Sequence, residues 1–126
     1  MVSFEKEGWV SIWVATAKGP KGDMKKDVMK DLCGCDYYDV DFQENIFDPK
    51  WKSLPIATLI DRLSYSESYR DAALKAAKKK GIDEAVQAIS QLEFKYDPKK
   101  VTKPVSKWLI FLGAFRFTAS PPSWEE

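Results

Sequence analysis

Ten residues, GWVSIWVATA at 8–17, constrain the fold more than any other stretch of this chain. They alternate with the period of a β-strand: Trp9, Ser11 and Trp13 fall on one side, Val10, Ile12 and Val14 on the other. Both sides are largely apolar and β-branched residues are frequent, so the segment reads as a strand interior to a sheet. A second apolar run, SKWLIFLGAFRFT at 106–118, reads as a buried strand whose density of apolar residues asks for cover on both faces. Gly113 within it marks a bulge or a close approach.

The intervening sequence supplies helices. KGPKG at 18–22 breaks the first strand, and DMKKDVMKDLCG at 23–34 follows as a short amphipathic helix. Asp23 is placed to cap it, Met24, Val28, Met29 and Leu32 have helical spacing, and Gly34 stops it. SLPIATLIDRL at 53–63 reads as helix, with Ser53 as cap and Pro55 tolerated in the first turn. SYSESYRDAALKAAKKKG at 64–81 is the clearest helix: Ser64 and Glu67 have capping-box spacing, Ser66 is a second candidate cap, the body is Ala-rich, and Lys78 to Lys80 suit the negative end of the dipole. The alternation from Val86 to Tyr96 predicts a strand near 88–96. Strands and helices are thus partly segregated, which predicts an α+β domain: a small, mainly antiparallel sheet with about three helices packed on one face. A single domain over 1–118 is expected, followed by a disordered tail at 119–126.

Composition removes several classes of chemistry. The 126 residues include no His, the commonest general base and zinc ligand. The two cysteines, Cys33 and Cys35, lie in CGC, a spacing unfavourable for a mutual disulfide and different from the CxxC redox motif. They are expected to be reduced, in a cytoplasmic protein without a cofactor. No secretory leader, membrane span or Gly-rich phosphate loop is visible. The net charge of +1 predicts no general attraction to nucleic acid or to an anionic membrane. The lysines of KAAKKK, with Lys95, Lys99, Lys100, Lys103 and Lys107, read as a solvated face.

Function concentrates in DLCGCDYYDVDFQENIFD at 31–48. It holds six acidic residues, Asp31, Asp36, Asp39, Asp41, Glu44 and Asp48, and no Lys or Arg. Tyr37, Tyr38, Phe42 and Phe47 stand among them. Three readings are open: a solvated loop with its rings packed inward, a divalent-metal enzyme site built on Asp39 and Asp41, and a surface that recognises a basic protein. In the third, aromatic rings carry the binding energy and carboxylates set encounter rate and specificity. A nucleic-acid adaptor using the Lys-rich C-terminal half is a further class, testable by retention on a nucleic-acid column.

The order of motifs adds to this. VSIWVA, then DLCGCDYYDVDFQE, then LSYSESYRDAALKAAKKKGI, then AISQLEFKYDP together resemble the bacterial Immunity protein 22 family over roughly 9–98. The resemblance implies an α+β fold and a non-enzymatic role in the cytoplasm: binding a cognate protein toxin, often a nuclease, of a polymorphic or contact-dependent system. The motif residues carried over are Trp13, Tyr38, Asp39, Asp41, Phe42 and Glu44, then Ser64, Tyr65, Ser66, Glu67 and Ser68. Tyr69 stands where the family often has Phe, while CGC and PKWKSLP depart from its pattern. The resemblance favours the recognition reading, with toxin contacts expected at Asp36, Tyr37, Tyr38, Asp39, Asp41, Glu44, Asp48 and Trp51. Trp13, Phe42, Ser64, Tyr65, Ser66 and Glu67 are motif positions with a structural role open to them. A monomer or weak dimer is expected, with no nucleic-acid or membrane partner.

Overall fold

The alternating N-terminal segment forms the longest strand, β1 (Glu5–Ala15), in a computed structural model that describes residues 4–23 and 26–118. It lies inside a four-stranded antiparallel sheet with β2 (Gln43–Phe47), β5 (Gln87–Phe94) and β6 (Ile110–Arg116), in the order β2-β5-β1-β6. A short pair, β3 (Leu54–Pro55) with β4 (Glu84–Ala85), brackets the helices α1 (Ile56–Asp61) and α2 (Arg70–Lys79). The expected α+β class and mainly antiparallel sheet are both present.

Because β1 is apolar on both sides, the sheet has a core on each face. Val10, Ile12 and Val14 pack against Leu59 and Ile60 of α1 and against Tyr69, Ala73 and Ala77 at and within α2. Trp13 and Ala15 face the other way, onto Ile89, Tyr96, Met29, Leu32 and both cysteines. Each such aliphatic side chain contributes about 1.5–3 kcal/mol when fully buried, so neither face of the sheet is stable bare. The two α-helices share one face, and a π-helical turn (Val28–Leu32) covers the other.

Local chemistry explains where elements begin differently from expectation. The helix expected over 23–34 contracts to that π-helical turn, capped by Asp27, whose Oδ1 accepts from the Lys30 N–H at 2.9 Å. Asp23 is engaged elsewhere: Trp108 Nε1 and Ser106 Oγ donate to it at 2.9 and 3.3 Å. Met24 lies outside the described residues. Gly34 does end the segment; its φ is +73°, and a Cβ there would stand 2.6 Å from Val101 Cγ1. Ser53 caps nothing, because Leu54 and Pro55 pair with β4 and the Ile56 N–H bonds the Asp83 carbonyl at 3.0 Å. The Ser64–Glu67 capping box does not form either. Tyr65 adopts a left-handed conformation, Ser66–Ser68 make a 3-10 turn, and α2 starts only at Arg70, without a side-chain cap.

The C-terminal strands appear where the sequence places them, but β6 covers only 110–116 of the expected 106–118 and, at the sheet's edge, is mostly half-buried rather than covered on both faces. β5 begins at Gln87, and β6 carries the bulge expected at Gly113: Ile12 pairs with Gly113 but Trp13 with Phe111, leaving Leu112 as the extra residue. A Cβ on Gly113, at φ +153°, would meet the Phe115 ring at 2.9 Å. Both cysteines are free and buried, with no disulfide between them. Among the described residues no helix is long and apolar enough to cross a membrane. The tail expected at 119–126 falls outside the described residues.

Candidate functional site

The acidic stretch becomes a 3-10 turn (Val40–Phe42) leading into β2, the strand at one margin of the sheet. Most of its carboxylates are occupied by the chain's own groups. Asp36 Oδ1 is 2.7 Å from Lys103 Nζ. Asp39 caps the 3-10 turn, its Oδ1 accepting from the Asp41 N–H at 3.0 Å, while its carbonyl accepts from Gln91 Nε2 at 2.8 Å. Asp48 organises the turn after β2, accepting the N–H groups of Lys50 and Lys52 at 2.8 and 3.2 Å. Asp31 accepts the Asp27 N–H at 3.0 Å, and Tyr38 donates its hydroxyl to Asp27 at 2.6 Å. Burial, then that bond to a carboxylate, pushes the Tyr38 phenol up to about 12.

Two expected contact residues, Asp39 and Asp48, thus shape backbone, and Tyr38 braces the π-helical turn. The Asp39 and Asp41 pair expected of a metal site is divided by this use. Among the described residues no group of three or more His, Cys, Asp or Glu could hold a metal ion. Trp13 is buried at 2% exposure between Tyr96 and Phe111, with ring centroids at 5.1 and 5.3 Å, so its role is in the core.

Part of what remains outward lines a groove of about 450 Å³ at the start of β2. Asp41, Glu44 and Glu93 supply carboxylates to it; Phe42, Tyr65 and Phe117 supply rings; Ser64 and Leu92 complete it, and no Lys or Arg lines it. Phe42 and Tyr65 are 42% and 49% exposed, a large apolar area to leave in water. Tyr65 stacks on Phe117, with centroids 5.7 Å apart. Glu44 closes one wall by accepting from both the N–H and the hydroxyl of Ser64. The Asp41 carboxylate has no hydrogen bond or ion pair among the described residues.

Backbone strain marks the same place. Among the described residues, the non-glycine residues at positive φ are Trp51, Tyr65 and Glu93, at 57°, 60° and 57°, and two of these line the groove. Each costs on the order of 1–3 kcal/mol and persists only where the surroundings enforce it. Around Glu93 the enforcement is visible. The β1–β5 register breaks there: Phe94 pairs with Glu5 but Leu92 with Val10, so residues 6–9 bulge against Glu93. Its Oε1 accepts the Gly8 N–H at 3.3 Å. Ser11, fully buried, bridges the break by donating to the Phe94 carbonyl at 2.8 Å and accepting from the Tyr96 N–H at 2.9 Å.

The third strained residue, Trp51, belongs to a separate patch at the far end of β2. It stacks on Phe47 at 4.9 Å and 13° between planes, with Lys18 Nζ 5.3 Å from its centroid. Tyr37 is exposed at 47%. Ser66, Glu67 and Ser68 form the 3-10 turn that follows Tyr65. The groove therefore unites Asp41, Phe42, Glu44, Ser64 and Tyr65, all expected site or motif positions, with Leu92 and Glu93, which lie in AISQLEFKYDP but are not among the expected site residues, and with Phe117, outside every motif.

The expected lysine face is solvent-exposed, and two of its members have aromatic or acidic partners: Lys95 lies 4.0 Å over the Trp9 ring, and Lys103 pairs with Asp36. Compared with known protein families, curated proteins and solved structures, the chain matches none.

Proposed function

We propose that this protein is an immunity protein of the Immunity protein 22 type that neutralises a basic bacterial toxin, of the nuclease kind, in the cytoplasm of the cell that makes both. The observation that carries the reading is the groove: exposed Phe42 and Tyr65 rings beside three carboxylates, with no cation among its lining residues. The order of the sequence motifs supports it independently.

The physical logic is complementarity. A nuclease must attract phosphates and so presents Lys and Arg around its cleft. Carboxylates held on a rigid surface take the place of phosphates, accelerate encounter and reject surfaces of their own sign. Phe42 and Tyr65 supply the desolvated contact area, and their flat faces also attract a guanidinium or ammonium group. The bonds that hold Glu44 and Glu93 in place reduce the ordering cost of binding. A tight complex would bury about 1,600 Å² in total.

Co-expression with the product of the neighbouring upstream gene, the proposed toxin, tests the reading. Protection of the cells, together with loss of the purified toxin's activity on adding this protein, is the expected result. Full toxicity despite normal levels of folded protein would contradict it.

A further inference from the structure

We infer that the outer edge of β2 accepts a basic β-strand, which adds to the sheet as a fifth strand beside the groove. That such a strand belongs to a toxin rests on the reading above; the edge itself is argued from the fold.

β2 pairs only with β5, so alternate N–H and C=O groups along its other side face away from the sheet. Proteins normally blunt such an edge with a bulge, a proline or a lysine, because it templates pairing with another chain. The opposite edge is blunted in this way: β6 has its bulge at Leu112–Gly113 and ends on Arg116. β2 carries no bulge, proline or basic residue, and Glu44 is its one charge. Its five residues, QENIF, pair with β5 in unbroken register.

The surroundings choose the occupant. Val40, Phe42 and Phe47 flank the edge at 63%, 42% and 43% exposure, offering apolar contacts to side chains of an added strand. Residues 36–48 contain five carboxylates, of which Asp36 is paired with Lys103, and no Lys or Arg of their own. A second copy of this chain would bring five more carboxylates against them, which opposes self-pairing, whereas a strand bearing Arg or Lys is attracted.

The test uses the isotopically labelled protein and two short capped peptides, one alternating Arg with Val and one alternating Glu with Val. Amide exchange is followed by NMR at millimolar peptide. The Arg peptide is expected to slow alternate amides within 43–47 by about tenfold or more, and the Glu peptide to leave them unchanged. Unchanged exchange at 43–47 with the Arg peptide, or an equal effect of both peptides, overturns the inference. So does slowing that appears on raising protein concentration alone, which would make the occupant a second copy.

Asn45→Pro and Ile46→Pro remove N–H groups of opposite orientation. The variant whose lost N–H faced outward is expected to fold and to lose the Arg peptide; wild-type peptide protection in that variant argues against strand addition. The two readings separate cleanly. A toxin complex that leaves 43–47 exchanging freely drops the added strand and keeps the immunity role, and Arg-peptide protection without any toxin complex does the reverse.

Discussion

Ser64 donates to Glu44 twice, from its backbone N–H at 2.7 Å and from its hydroxyl at 3.0 Å. This pair of hydrogen bonds ties the margin strand β2 to the turn that precedes α2, across 20 residues of sequence. It also positions Tyr65, the next residue, in its left-handed conformation at the groove. A carboxylate expected to face a partner thus also builds the surface that the partner would meet.

Glu44→Ala removes both acceptors and should lower stability by on the order of 1 kcal/mol, since the Ser64 side of the pair is exposed to water. Glu44→Gln keeps one good acceptor and should cost less. Urea midpoints of the two variants give the order; equal midpoints for both and for wild type would mean that the link holds nothing.

Tyr65→Gly separates fold from function. Glycine relieves left-handed strain of about 1 kcal/mol and forfeits the stacking on Phe117, so net stability should stay within about 1 kcal/mol of wild type. Partner affinity should nevertheless drop about tenfold or more, because an exposed anchor ring is gone. A large loss of stability would place Tyr65 among the structural residues instead.

The core on the π-helical side depends on a buried hydrogen bond. Tyr96 donates its hydroxyl to the Cys33 carbonyl at 2.6 Å, beneath Trp13 and Phe111. Tyr96→Phe strands that carbonyl and should cost about 1–3 kcal/mol by chemical denaturation.

Alkaline pH should weaken the same side. Burial first, then the charges of Asp36 and Asp27, pushes the Cys35 thiol from its ordinary 9.0 up to about 12. Burial and the bond to Asp27 push Tyr38 from 10.0 to about 12. Both groups are neutral when protonated, and the unfolded chain ionises first. Their contribution is therefore complete below the unfolded values and is lost as pH rises from about 9 towards about 12. The urea midpoint should fall over that window, and Cys35→Ala should flatten part of the fall. A thiol reagent at neutral pH should react only with the unfolded chain.

Periodic segments were legible in the sequence; pairings that jump across it were not. β1, β5, β6 and the body of α2 follow from alternation and helical spacing, and the Gly113 bulge follows from a glycine inside an apolar strand. Helix starts were misplaced because their caps had distant competitors: Trp108 takes Asp23 from 85 residues away, and Glu44 takes the Ser64 hydroxyl. The groove was half visible. Asp41, Phe42, Glu44, Ser64 and Tyr65 are singled out by the motifs; Leu92 and Glu93 lie in AISQLEFKYDP without being marked as site residues, and Phe117 lies outside every motif, so these three join the groove only through the tertiary fold. Sequence alone places Asp39 and Asp48 at a partner because charge counts do not distinguish a capping carboxylate from a free one.

The most direct measurement is a calorimetric titration of this protein against the product of the neighbouring upstream gene, the proposed toxin, at low and moderate salt, with wild type and Asp41→Lys. An acidic, aromatic groove that binds a basic toxin gives nanomolar affinity that weakens with salt and falls about tenfold or more on charge reversal at Asp41. Absence of binding, or tight binding indifferent to both salt and Asp41→Lys, would contradict it.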